Sequence, residues 1–184
     1  GITGNVAAAE AYIAITEDGA VSSHKVDLSL TSMTLRPAAA GVYYNSAFAA
    51  DEVVAKNVEC YGVALSVVAE PTAENLDTLC GYSALYGFEA GEKSGTLLTG
   101  ILSEGNTDFA NDRNAAMPVF GRAYLKTAEG YTFGESVSRD LKTQVEAIDT
   151  VLDSLNETQK AAILAMYNRF ETVLSGWNVP NMKH

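Results

Sequence analysis

The sequence predicts a mainly β protein with an α appendage, a two-sheet β-sandwich followed by an antiparallel helical hairpin. Three observations carry this. Seven or eight short alternating segments recur between turn signals up to about residue 138, a spacing typical of two packed sheets. Long helical stripes are few in that region. From Arg139 onward the apolar period changes to that of an amphipathic helix. The expected division is therefore a sandwich over 1–138 and a helical hairpin over 139–184, packed on the sandwich or on a partner.

The first strand runs from about Glu10 to Thr16, and Asp18-Gly19 marks a tight hairpin turn. A second strand returns with Val26, Leu28 and Leu30 on one face. Pro37 breaks the chain, and Val42 to Phe48 resumes it as a strand. "VECYGVALSVV" is the most strongly β segment. In it Tyr61, Val63, Leu65 and Val67 alternate with the small residues Gly62, Ala64 and Ser66. The pattern weakens between Glu70 and Asn114, where Leu79 to Phe88 contains a strand and "EAGEKSGTLLTGILSEGNTDFANDRN" reads as a short apolar element ended by a polar loop. Val119 to Lys126 and Tyr131 to Ser138 form the closing hairpin across "TAEG".

The two helices follow from their stripes. Leu141, Val145, Ile148, Leu152 and Leu155 step by four and three along one face. Asn156 offers an N-cap, with Gln159 three positions on to complete a capping box. Ile163, Met166, Tyr167, Phe170, Val173, Leu174 and Trp177 then form a second stripe, bounded by Gly176 and Pro180. So short a connection requires the helices to run roughly antiparallel.

Composition narrows the function. With 184 residues, 47% of them hydrophobic, and a mean hydropathy of +0.03, the chain suits one full-sized core. The net charge of −11 repels nucleic acid and anionic lipid. No apolar run approaches the roughly 20 residues of a membrane helix, so no membrane insertion is expected. "GITGNVAAAEAY" lacks a basic stretch followed by an apolar one, and no signal peptide is expected within it. Catalysis by His24 or His184 would need an oriented partner and a nucleophile, and no local motif supplies one. A non-catalytic protein is the expectation.

Binding candidates remain. "EGNTDFANDR" places Glu104, Asn106, Asp108 and Asp112 in one loop, and calcium takes converging hard oxygen ligands of this kind. The spacing departs from the regular calcium-loop pattern, so a plain polar loop is the competing reading. Glycan binding needs exposed rings to stack on sugars. Tyr82 and Tyr86 are available for it, and Tyr43, Tyr44 and Tyr131 are the first candidates, since consecutive strand residues point to opposite faces. Trp177 and Met182 lie in a stretch too short to bury them alone, which suits an interface with a second copy or a neighbouring module. The small, lightly charged amino-terminal segment suits pairing with the open edge of a neighbour's sheet. Cys60 and Cys80 are either bridged, closing a loop worth roughly 3 kcal/mol, or separate buried thiols.

One stretch also carries a resemblance. "FGRAYLKTAEGYTFGESVSRDLK" has an aromatic-rich strand around Ala123 and Tyr124, a turn at Glu129-Gly130, and "VSRDL" over Val137 to Leu141. It resembles the last hairpin of the immunoglobulin-like or fibronectin-type-III-like modules found in large secreted and cell-surface proteins of anaerobic Gram-positive bacteria. "LRPAAAGVYYNSAF" and "YGVALSV" are similar to further parts of such modules. "LNETQKAAILAMYNRFETVLSGWNVPNMK" resembles a helical segment that follows them. The resemblance implies an extracellular or cell-surface structural, adhesive or self-assembling module. A carbohydrate- or ligand-binding module using exposed tyrosines is the alternative expectation.

Overall fold

A computed structural model describes residues 2–4, 10–36, 41–86, 91–101, 118–148 and 153–169. It is mainly β, with two sheets and a few helices. The first sheet contains β1 (Ile2–Gly4), β2 (Glu10–Glu17), β3 (Ala20–Arg36), β4 (Gly41–Ala50) and β7 (Gly91–Ile101). The second contains β5 (Cys60–Ser66), β6 (Gly81–Tyr82), β8 (Val119–Thr127), β9 (Gly130–Phe133) and β10 (Val137–Arg139). All of the pairings are antiparallel. In the first sheet β3 holds β1 and β2 along one edge and β4 along the other, and β7 lies beyond β4. In the second, β8 holds β9 and β10 along one edge and β5 along the other, and β6 lies beyond β5.

Turn chemistry fixes the first hairpin. Asp18 and Gly19 both take positive φ, 48° and 81°, the backbone of a two-residue turn that matches strand twist. The register Glu17↔Ala20 follows from it. Val26, Leu28 and Leu30 are then buried on one face as expected, with Ile13 and Ile15 beside them. The second strand runs further than the alternation suggests, to Arg36, because β1 and β4 pair with its far half. Ile2–Gly4 is thus hydrogen-bonded along one edge to β3 of its own sheet.

Between the sheets, Phe48 meets Tyr61 edge to face at 4.7 Å between ring centroids. Tyr44 crosses from the first sheet, and its ring lies against the backbone of Gly121, where an added Cβ would stand 3.0 Å from ring atoms. Its hydroxyl donates to the Val119 carbonyl at 3.0 Å. Burial pushes the Tyr44 phenol up to about 12, since desolvation disfavours the phenolate.

Three local readings are corrected. Over the described residues 79–86 the strand expected within Leu79 to Phe88 is short. Leu76–Leu79 is a short helix, α2, and only Gly81–Tyr82 and a bridge at Leu85 pair with β5. The short apolar element expected in "EAGEKSGTLLTGILSEGNTDFANDRN" is, over Gly91–Ile101, an 11-residue strand, β7. The closing hairpin divides, β9 and β10 both lining one edge of β8.

Helix α1 (Glu52–Asn57) was not anticipated. Its signal is present, however: Asp51 accepts from the Val54 N–H at 2.8 Å, an N-cap, with Glu52 in the first turn and Lys56 in the last. Asp51 also meets His24 of β3 at 3.2 Å. The carboxyl is held below its usual value, chiefly by the Val54 N–H; burial opposes this and the His24 bond adds to it. A depressed folded-state pKa gives stability that is present above the unfolded value and is lost as pH falls through the folded one. Asp51→Ala should therefore cost about 1 kcal/mol near neutral pH. Urea unfolding at stepwise lower pH should show that difference closing once the pH is well below 4, the usual range of the free carboxyl.

Helix α3 (Leu141–Ile148) begins at Asp140, whose carboxylate accepts from the Thr143 N–H at 2.7 Å and from its hydroxyl at 2.8 Å. Helix α4 (Glu157–Arg169) opens with the expected box: the Gln159 N–H donates to Asn156 at 2.8 Å, and the Asn156 N–H to Gln159 at 3.0 Å. Ile163 of the second stripe is buried. The residues from Phe170 onward, Trp177 and Met182 among them, lie outside the described residues.

Candidate functional site

The second sheet has two packed faces. Tyr61, Val63, Val119, Ala123 and Leu125 turn toward the first sheet. The alternate positions face outward: Cys60, Gly62, Ala64 and Ser66 on β5, opposite Lys126, Tyr124, Arg122 and Phe120 on β8. The small residues of "CYGVALS" have a reason. Residues 70–86 fold back over that outer face, and Leu76 packs with Cys60, Ala64 and Tyr124 in a second apolar cluster. At Gly62 the approach is closest. A Cβ there would stand 2.0 Å from the Ser83 carbonyl oxygen and 2.8 Å from its Oγ.

Polar contacts hold the covering segment down. Ser83 Oγ accepts from the Val63 N–H at 3.1 Å, and its backbone N–H donates to the Val63 carbonyl at 3.1 Å. The Tyr124 hydroxyl donates to the Ser83 carbonyl. Arg122 ties three pieces together. Its Nε donates to the Gly134 carbonyl at 2.6 Å and its Nη1 to the Pro71 carbonyl at 2.9 Å. Nη1 also meets Glu70 at 3.2 Å, and the guanidinium lies 5.0 Å from the Phe133 ring centroid. The planar fork suits this arrangement better than an ammonium would.

What rises above this base is an aromatic surface. Tyr124 is fully buried and forms the floor. Tyr82 lies 6.1 Å from it, Tyr131 6.0 Å and Phe133 6.3 Å, centroid to centroid. Tyr131 and Phe133 are 6.0 Å apart. Lys126 stands 5.6 Å from the Tyr131 ring centroid and meets Glu59 at 3.4 Å. Tyr82 is 46% exposed and Tyr86 is 76% exposed. The Tyr82 hydroxyl donates to Asp77 Oδ1 at 3.2 Å. That bond and the Asp77 charge are the main reasons its phenol is raised, with smaller contributions from Tyr131 and Tyr86. Burial raises the Tyr124 phenol, and the neighbouring Cys60, Tyr82, Tyr131 and Tyr86 add to it.

The sequence-predicted candidates divide accordingly. Tyr131 belongs to the aromatic surface, with Tyr82 and Tyr86. Tyr44 does not: it is 0% exposed and spent on the inter-sheet core, so it is no ligand platform. Tyr43 takes its place in the ladder opposite Thr34 and Leu98, and its side chain is not among those described. Glu104, Asn106, Asp108 and Asp112 lie outside the described residues. Within the described residues, no group of three or more metal-ligating side chains gathers. Phe133 and Asp77 were missed. Phe133 is signalled by its place two residues after Tyr131 on one strand, which puts both rings on one face.

The cysteines are separate thiols. β5 and β6 pair as Ala64↔Tyr82 and Leu65↔Gly81, and the next step puts Cys80 opposite Ser66, which bonds its sulfur. Cys60 lies six residues back along β5, roughly 20 Å away at about 3.3 Å per residue. A bridge needs Cα atoms about 4.4–6.8 Å apart, so that reading falls. Burial raises both thiols. Titration of the unfolded, unreduced protein should find two free thiols. In the folded protein Cys80, partly exposed, should react before the buried Cys60.

No protein-family model matches the chain, and no curated protein matches it. Among solved structures it is similar to a DUF3823 family protein from Bacteroides ovatus, at 15% identity and a TM-score of 0.40. The alignment covers 66% of this chain and spans 56% of that one.

Proposed function

We propose that this chain is a non-catalytic extracellular module of structural or adhesive type, and that the aromatic face of its second sheet is the surface by which it holds a partner. The observation that carries the reading is the exposure of Tyr82 and Tyr86 beside Tyr131 and Phe133, over a floor that is itself well packed. Isolated exposed rings are ordinary, whereas contiguous ones mark contact surfaces. The phenols of Tyr82 and Tyr124 are pushed up rather than down, the reverse of what a tyrosine base near neutral pH requires. Rings and hydrogen-bonded carboxylates offer contact area, which is what adhesion uses.

The finer reading of the architecture is an immunoglobulin-like or fibronectin-type-III-like sandwich over 1–138, with a helical hairpin over 139–184. Its support is the sequence resemblance, together with the two capped helices that follow β10. The resemblance is also the support for the cell surface, since separate cysteines add none. Beads coated with the protein test the reading on surfaces of polysaccharide, of mucin, of gelatin and of the protein itself. The wild type should adhere to at least one surface, and a Tyr82→Ala/Tyr86→Ala/Tyr131→Ala variant with an unchanged circular dichroism spectrum should not. Equal adhesion by the triple variant would reject the face as the contact surface.

A further inference from the structure

We infer that the partner held by this face is an uncharged glycan, stacked on Tyr82, Tyr86 and Tyr131 with Asp77 accepting from its hydroxyls. The inference rests on the contact-surface reading above and adds the chemical class. Three features select that class. First, the surface alternates apolar ring with polar tip. A sugar ring has the matching form, with C–H groups on its face and hydroxyls at its edge, and Tyr rings serve such amphipathic contacts with few rotatable bonds.

Second, the charges around the rings are of the wrong kind for an anionic ligand. Lys126 and Arg122 are each committed to a carboxylate, Glu59 at 3.4 Å and Glu70 at 3.2 Å. The remaining neighbour, Asp77, is negative, and the whole chain carries −11. An acidic polysaccharide or a nucleic acid would meet repulsion both near and far. A neutral sugar meets a carboxylate that accepts hydroxyl protons, and a hydrogen bond to a charged acceptor is among the stronger kinds.

Third, the spacing suits a chain of rings rather than one. Tyr82 and Tyr131 stand on opposite sides of the buried Tyr124, 6.1 Å and 6.0 Å from it, and the exposed Tyr86 follows Leu85, which bridges to Tyr61 of β5. A partner touching both Tyr82 and Tyr131 must span several ångströms more than one ring. An oligosaccharide does so without folding.

A proline-rich peptide is the rival occupant, since aromatic surfaces also take extended polyproline segments. Isothermal titration calorimetry separates the two. The probes are cellohexaose, xylohexaose and mannohexaose, with oligogalacturonate and a proline decapeptide as contrasts. Binding of at least one neutral hexaose is expected, weakened at least tenfold by Tyr86→Ala and by Asp77→Asn, with no heat from oligogalacturonate. Tyr86, being so exposed, can be replaced without loss of fold, and Asp77→Asn is nearly isosteric. If only the decapeptide binds, and Tyr86→Ala abolishes it, the glycan is overturned while the contact surface stands. If a hexaose binds equally well to both variants, this face is not its site and both readings fail there. If none of the neutral hexaoses binds at millimolar concentration, the glycan inference is overturned, and the bead assay alone then judges the wider reading.

Discussion

Tyr124→Ala is expected to be the most damaging single truncation in the second sheet, costing about 4 kcal/mol. Large-to-small changes of buried aromatics typically cost 3–5 kcal/mol, and Tyr124 has no exposed surface. Its ring is the floor beneath Tyr82, Tyr131 and Phe133, and its hydroxyl binds the carbonyl that anchors the covering segment. For a chain of this size the melting temperature should fall by roughly 8–16 °C. Tyr124→Phe keeps the ring and removes only the bond, so it should cost about 1–2 kcal/mol. Thermal unfolding of the two variants side by side checks the partition. An alanine variant no worse than the phenylalanine one would mean that the ring is not packed as described.

Gly62→Val should be nearly as severe, for the opposite reason. The site has no room: the nearest atom to a new Cβ is backbone, the Ser83 oxygen at 2.0 Å. Backbone cannot rotate away as a flexible side chain would. Overpacking costs typically 1–3 kcal/mol and sometimes more, and here it would also prise residues 83–85 off β5. About 3 kcal/mol is expected, together with faster amide exchange at Ser83 and Leu85, whose N–H groups bond Val63 and Tyr61. Gly81→Ala is the control, because a Cβ there meets nothing within 4 Å. Urea midpoints for the pair should separate clearly; equal midpoints would contradict the close approach.

The elements that sequence discloses here are those specified locally. Alternation placed Val26, Leu28 and Leu30 on one buried face, because the pleat alone decides it. Asp18-Gly19 and Asn156 with Gln159 were legible because each motif satisfies its own backbone groups within a few residues. The site was less legible, because it depends on what lies across from each residue. Tyr43 and Tyr44 look alike in the chain, and only the approach of Gly121 makes Tyr44 a core residue. Gly62, Ala64 and Ser66 read as a small-residue face, but their smallness answers to Ser83 and Leu76, far along the chain. The cysteines make the same point. Their loop length permits a bridge, and only the β5–β6 register moves them apart.

The outer face of the second sheet, rather than another surface, is the one proposed to meet the partner. Ring-proton NMR of selectively tyrosine-labelled protein tests it most directly. The ligand to add is the soluble form of whichever material the coated beads hold. Tyr82, Tyr86 and Tyr131 should shift together on titration while buried Tyr44 and Tyr61 hold still. Shifts confined to Tyr12, which is exposed on the first sheet, with those three tyrosines unmoved, would contradict it.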